Sequence, residues 1–98
     1  MQVMTIVRGK VPTAAAKSLE LAYSGLRSAG EFPPGLINSF LIKSKQEPDA
    51  FMVETIWESL EALDKMRASS QKPAAVKLFE DLGVTPTVEV FEIWNSLP

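Results

Sequence analysis

Along Gln2 to Val11, the residues Val3, Thr5 and Val7 alternate with Met4, Ile6 and Arg8. A two-residue period in this β-branched context predicts a strand that is apolar on both sides. Pro12 stops the ladder and Thr13 is expected to cap a helix over residues 14–29. Ala15, Leu19, Ala22, Leu26 and Ala29 recur there at steps of four and three and form one apolar stripe. Gly30 ends the helix, and Pro33-Pro34-Gly35 makes a turn. Alternation then returns over Leu36 to Lys43, with Leu36, Asn38, Phe40 and Ile42 on one side and Ile37, Ser39, Leu41 and Lys43 on the other. The polar run Lys45 to Asp49 suits a hairpin connection into a third strand, Phe51 to Trp57. Ser59 is placed to cap a helix in which Leu60, Leu63 and Met66 or Arg67 share a face. Pro73 opens a shorter helix that buries Val76 with Phe79 or Leu78 and stops at Gly83. A last strand, Thr87 to Trp94, sets Val88 and Val90 against Phe91 and Ile93.

The order strand, helix, strand, strand, helix pair, strand predicts a ferredoxin-like α+β fold. In this split βαβ arrangement, right-handed crossovers place the helices on one face of a four-stranded antiparallel sheet. The 98 residues suit a single domain spanning 1–98. Two helical layers cover one face of such a sheet, yet every strand carries large apolar residues on both sides. The other face is therefore expected to be covered by a second copy of the chain, giving a homodimer built as a dimeric α+β barrel.

Charge and composition narrow the chemistry. A formal charge of −2 provides no long-range attraction for phosphate backbones or anionic lipid, so neither nucleic acid nor a membrane is an expected partner. No window approaches the roughly 20 apolar residues of a membrane span, and Met1 to Lys10 does not read as a leader, so a cytoplasmic location is expected. The chain contains no Cys and no His. Thiolate nucleophiles, imidazole bases, disulfides and histidine-held metal or haem are thereby excluded.

Three stretches resemble the antibiotic biosynthesis monooxygenase domain family: Pro34-Gly35-Leu36 entering the second strand, Pro48-Asp49-Ala50-Phe51 entering the third, and Ile56-Trp57-Glu58-Ser59-Leu60-Glu61-Ala62-Leu63 beyond it. The resemblance runs over nearly the whole chain and implies a ferredoxin-like fold paired into a dimeric barrel. It also implies a family that includes cofactor-free oxygenases of polycyclic aromatics, quinol monooxygenases and haem-degrading enzymes. Against the haem-degrading branch, Met66 stands where that branch carries a Trp and Val76 stands near the place of its axial His. No Asn occurs in Met1 to Val11, so haem degradation is not expected. Many members also carry a carboxylate two residues before the motif tryptophan. Here that residue is Thr55, with Glu54 one position away and facing the other side by strand alternation.

Four residues are candidates for lining a substrate pocket. Trp57 serves either as a core aromatic closing the strand-to-helix junction or as a flat wall for an aromatic substrate. Tyr23 lies beside the first helix's stripe, Asn38 interrupts an apolar strand face, and Met66 is an adaptable liner. Arg8 is expected to pair with Glu89 or Glu92 across neighbouring strands. The acidic pairs Glu58/Glu61 and Glu80/Asp81 lack metal-site company, so no metal or other cofactor is expected. Two functions are consistent with these residues. One is a cofactor-independent monooxygenase of a small hydrophobic aromatic or quinol-type substrate, and the other is a non-catalytic ligand-binding or structural homodimer of the same fold. The catalytic residues themselves are not legible at this level.

Overall fold

A computed structural model of the chain describes residues 1–30, 32–69 and 72–98. Strand β1 (Val3–Lys10) leads through a single 3-10 turn (Thr13–Ala15) into helix α1 (Ala16–Ala29). Strands β2 (Leu36–Lys43) and β3 (Ala50–Trp57) follow, then helices α2 (Leu60–Ala68) and α3 (Ala74–Glu80), and finally strand β4 (Thr87–Glu92). The strands form one sheet in the order β2-β3-β1-β4, every neighbouring pair antiparallel. This is the ferredoxin-like α+β arrangement that the element order predicts.

Helix starts differ in how they are capped. Ser59 behaves as its sequence position suggests, its Oγ accepting the Ala62 N–H at 3.1 Å. Thr13 does not cap α1. The proline-fixed backbone of Pro12 offers its carbonyl to the Ala15 N–H at 2.8 Å, and a 3-10 turn replaces the side-chain cap. Along α1 the buried ridge runs through Ala15, Leu19, Tyr23 and Leu26, while Ala22 and Ala29 are exposed. Tyrosine and leucine have far more apolar area to withdraw from water than alanine, so the helix turns the larger side chains toward the sheet.

The core lies between sheet and helices. Val7, Val11, Leu19, Val53, Leu78 and Phe79 form one buried cluster, and Val3, Trp57 and Leu63 a second. Phe79 packs directly on the β1 backbone at Gly9, where a Cβ would lie 2.6 Å from the Phe79 ring. Gly35 holds a φ of +88° in the turn before β2, with the Ala62 side chain pressed against it, so that position needs glycine on two counts.

Strand β2 departs from simple alternation. Leu36 stands opposite Trp57, but the next pair is Asn38 with Ile56, so Ile37 is the extra residue of a β-bulge. Leu36, Ser39 and Leu41 consequently share the helix-covered face, while Asn38, Phe40 and Ile42 point to the opposite one. On that uncovered face Phe40, Ile42 and Phe91 are exposed, beside half-buried Met4, Ile6, Met52 and Ile56. Glu54, opposite Ile6 and Phe40, belongs to the same face. Arg8 does not meet Glu89 or Glu92. The β1–β4 register sets Thr87 opposite it, and its guanidinium instead pairs with Glu47 at 3.2 Å.

Candidate functional site

Between the sheet and the three helices lies a cavity of about 780 Å³. Its floor is built by cross-strand neighbours. Ser39 on β2 stands opposite Thr55 on β3, which stands opposite Thr5 on β1, so three hydroxyls form a row across the middle of an otherwise apolar surface. Thr5 and Thr55 are buried and Ser39 is half-buried. Two aromatic side chains tie into the row: the Tyr23 hydroxyl donates to Ser39 Oγ at 3.0 Å, and the Trp57 indole Nε1–H donates to Thr5 Oγ1 at 3.1 Å. Thr55 Oγ1 also donates to Ser39 Oγ, at 3.3 Å.

This hydrogen-bond pattern has a chemical consequence. A hydroxyl offers one donor and two acceptor positions. The oxygen of Ser39 accepts from both Tyr23 and Thr55, and that of Thr5 accepts from Trp57. With Trp57 donating to Thr5 and Tyr23 and Thr55 both bonded to Ser39, the row keeps hydroxyl donor capacity that a ligand in the cavity can use, since Ser39 and Thr5 have no further partner among the described residues. Ser39 and Thr5 stand two strands apart, about 9.6 Å at the backbone, so a ligand oxygen carrying negative charge would meet one end of the row at a time. Apolar walls rise around this floor, with Leu26 on α1, Leu63 and Met66 on α2, and Val76 and Leu78 on α3.

The four residues singled out from the sequence fall in different places. Trp57 is packed in the core with Val3 and Leu63 and also lines the cavity. Tyr23 reaches the floor from α1 through its hydroxyl, and Met66 is a half-buried wall. Asn38 borders the cavity but is exposed, and the bulge sets it in register with Ile56 on the uncovered face. Its neighbour Ser39 holds the floor position. The sequence does not mark Ser39 or Thr5 as site residues, and Thr55 stands out only as the residue standing where many family members carry a carboxylate. Each is the lone hydroxyl in a helix-facing apolar series, such as Val3-Thr5-Val7, but serine and threonine in strands are too ordinary to draw notice.

Charge is unevenly placed around the molecule. Arg27, Arg67 and Lys72 border the large cavity, and no carboxylate does among the described residues. Lys72 is held by Glu80 at 2.6 Å. The carboxylates Glu58 and Glu61 line a separate cleft of about 340 Å³ on the other side of α2, together with Lys65. Among the described residues no group of three acidic, His or Cys side chains is placed to hold a metal ion.

Comparison with known proteins agrees with this architecture. The family model for antibiotic biosynthesis monooxygenase matches residues 2–78. No curated protein matches the sequence. Among solved structures, a Deinococcus radiodurans protein classed with the antibiotic biosynthesis monooxygenases is similar at a TM-score of 0.75 and 16% identity, covering 98% of this chain and 96% of that one. SnoaB of Streptomyces nogalater, a cofactor-independent oxygenase, is similar at a TM-score of 0.70 and 18% identity over 99% and 97% of the two chains. The haem-degrading protein Rv3592 of Mycobacterium tuberculosis is similar at 0.73 and 24% identity over 100% of both. At these identities the likeness concerns the fold. No helix among the described residues is long and apolar enough to cross a membrane.

Proposed function

Since this chain belongs to the antibiotic biosynthesis monooxygenase family, we propose that the cavity binds a small hydrophobic aromatic or quinol-type substrate and directs its oxidation by molecular oxygen without a bound cofactor. The observation that carries this reading is the pairing of apolar walls with a row of three hydroxyls on a buried floor. In this reading a phenolic ring lies among Leu26, Met66, Val76 and the Trp57 indole, with its oxygen on the hydroxyl row of Ser39, Thr55 and Thr5. Hydrogen bonds to the ionised form favour the phenolate over the phenol, and burial strengthens each of them. Electron density returned to the ring makes a hydrogen-bearing ring carbon ortho or para to that oxygen the site of attack by molecular oxygen. One oxygen atom enters as a carbonyl and the other leaves as water, with all four electrons and both hydrogens drawn from the substrate. The protein's share is orientation and exclusion of bulk water. SnoaB, with the same fold, is a cofactor-independent oxygenase, which supports the same reaction class here.

A second reading has one observation in its favour. Among the described residues the titratable side chains on the cavity are Tyr23, Arg27, Arg67 and Lys72, with no carboxylate or imidazole base. A ligand that does not ionise by itself would be bound and left unchanged, as in a non-catalytic binding protein. Oxygen uptake separates the two readings. Metal-stripped protein with a panel of naphthohydroquinones and polycyclic phenols is expected to consume oxygen faster than the uncatalysed reaction. A folded Trp57→Ala variant is expected to lose that excess. Rates equal to background across the panel support the binding reading, and uptake that requires added metal or flavin refutes the cofactor-free one.

The proposed active form is a homodimer that closes the uncovered sheet face. Phe40, Ile42 and Phe91 leave an apolar surface of the kind that second copies cover. Trp94 and Leu97, 81% and 92% exposed, extend this apolar material beyond β4.

A further inference from the structure

We propose that Arg27 and Arg67 select a substrate carrying a carboxylate at the end of the ring system remote from the reacting phenol. The inference rests on the reading of the cavity as a phenol site and specifies which phenols it accepts. It is drawn from how charge is distributed. The chain carries 12 acidic and 10 basic residues and is net negative, so cations on the lining do not follow from its overall charge. Among the described residues the cavity is bordered by three cations and no anion, whereas the neighbouring cleft on the other side of α2 takes Glu58 and Glu61.

Of the three cations, Lys72 is neutralised by Glu80. Arg27, in the last turn of α1, and Arg67, in the last turn of α2, have no partner among the described residues. Both are exposed, so they mark the solvent edge of the cavity, while the hydroxyl floor is its buried end. Cations suit the negative ends of helices, and here two helix ends bring their arginines to the same cavity. Guanidinium groups present planar, paired donors that match a carboxylate. A ligand with its phenol on the hydroxyl row and a carboxylate at the opposite end satisfies both ends of the site. A neutral analogue satisfies only the floor.

The pair 6-hydroxy-2-naphthoate and 2-naphthol tests this directly, because they share the phenolic ring system and differ by the remote carboxylate. Calorimetric titration at low ionic strength is expected to show the acid binding about tenfold tighter, as two partly exposed charge-assisted contacts permit. In 0.5 M salt the preference should shrink below about threefold, since surface charges are then screened beyond a few ångströms. Arg27→Gln/Arg67→Gln should abolish the preference while leaving 2-naphthol affinity unchanged. Both positions are exposed, so the variant is expected to remain folded. A role confined to the helix ends would lower stability without changing ligand preference. Equal affinity for the two ligands in the wild type, or equal loss of both in the variant, overturns the inference. Binding of neither overturns it together with the phenol site. Tighter binding of the acid with no oxygen uptake supports the selection by charge and counts against the oxygenase reading alone.

Discussion

Replacing Thr5 by valine should destabilise the protein through a single atom. Valine retains the β-branched shape and strand preference of threonine but removes the acceptor of the Trp57 indole N–H, a 3.1 Å bond between residues that are 7% and 4% exposed. A buried donor left without a partner costs about 1–3 kcal/mol. The added methyl group recovers part of this by burial, at most about 0.8 kcal/mol. The expected net loss is about 1–2 kcal/mol, and each kcal/mol lowers the melting temperature of a domain this size by about 4–8 °C. Trp57→Phe removes the donor instead and leaves a hydroxyl that can turn toward the cavity. The double variant has no orphaned group, so it should be more stable than the sum of the two single changes by about 1 kcal/mol. Urea unfolding followed by far-ultraviolet circular dichroism measures this cycle. Protein concentration must be equal in all four samples because a dimer's stability depends on it. Additivity to within about 0.3–0.5 kcal/mol would refute the reasoning. It would mean that the indole N–H finds another partner, such as cavity water, at no cost.

Three further outcomes are expected. Gly9→Ala should cost about 1–3 kcal/mol, because its new Cβ meets the Phe79 ring at 2.6 Å and cannot be relieved without moving a fully buried side chain, and a melting temperature within 2 °C of wild type would contradict that packing. Sedimentation should give a dimer at micromolar concentration, and Phe91→Asp, which sets a charge opposite Met4 on the open face, should give monomers or unfolded chains; a wild-type monomer would remove the basis for the barrel. Haem titration followed by reductant under air should give no ring-opened product, since the sequence holds no His and the family resemblance puts Met66 where haem-degrading members carry a Trp and Val76 near the place of their axial His; stoichiometric turnover would overturn that substitution-by-substitution reading.

Periodicity and punctuation determined a great deal here. The two-residue alternation of β1, β3 and β4, the stop at Gly30, the Ser59 cap and the proline before α3 follow from local steric and hydrogen-bonding preferences that each residue carries with it. Those preferences are enough to place the elements and, through the short list of allowed crossovers, the sheet. The family follows from the run around Trp57 for the same reason, because a strand end, a cap and a helix face are encoded together in adjacent residues. Function classes needing thiol or imidazole were closed by composition alone, as no fold can supply a missing side chain.

The interior of the site was decided in three dimensions. The bulge at Ile37 exchanges the faces of β2, taking Asn38 out of the helix-covered layer and putting Ser39 into it, and an extra residue in a strand becomes visible only against its partner's register. Arg8 finds Glu47 in a loop far along the chain because the β1–β4 register places Thr87 opposite it. Ser39, Thr55 and Thr5 become a single row of hydroxyls only when three strands lie side by side, 16 residues separating the first two and 50 the others in sequence. Local propensity acts over a few residues, whereas the chemistry of this cavity depends on which distant residues share a face. Pairing register and helix packing determine that, and no segment of the chain contains it alone.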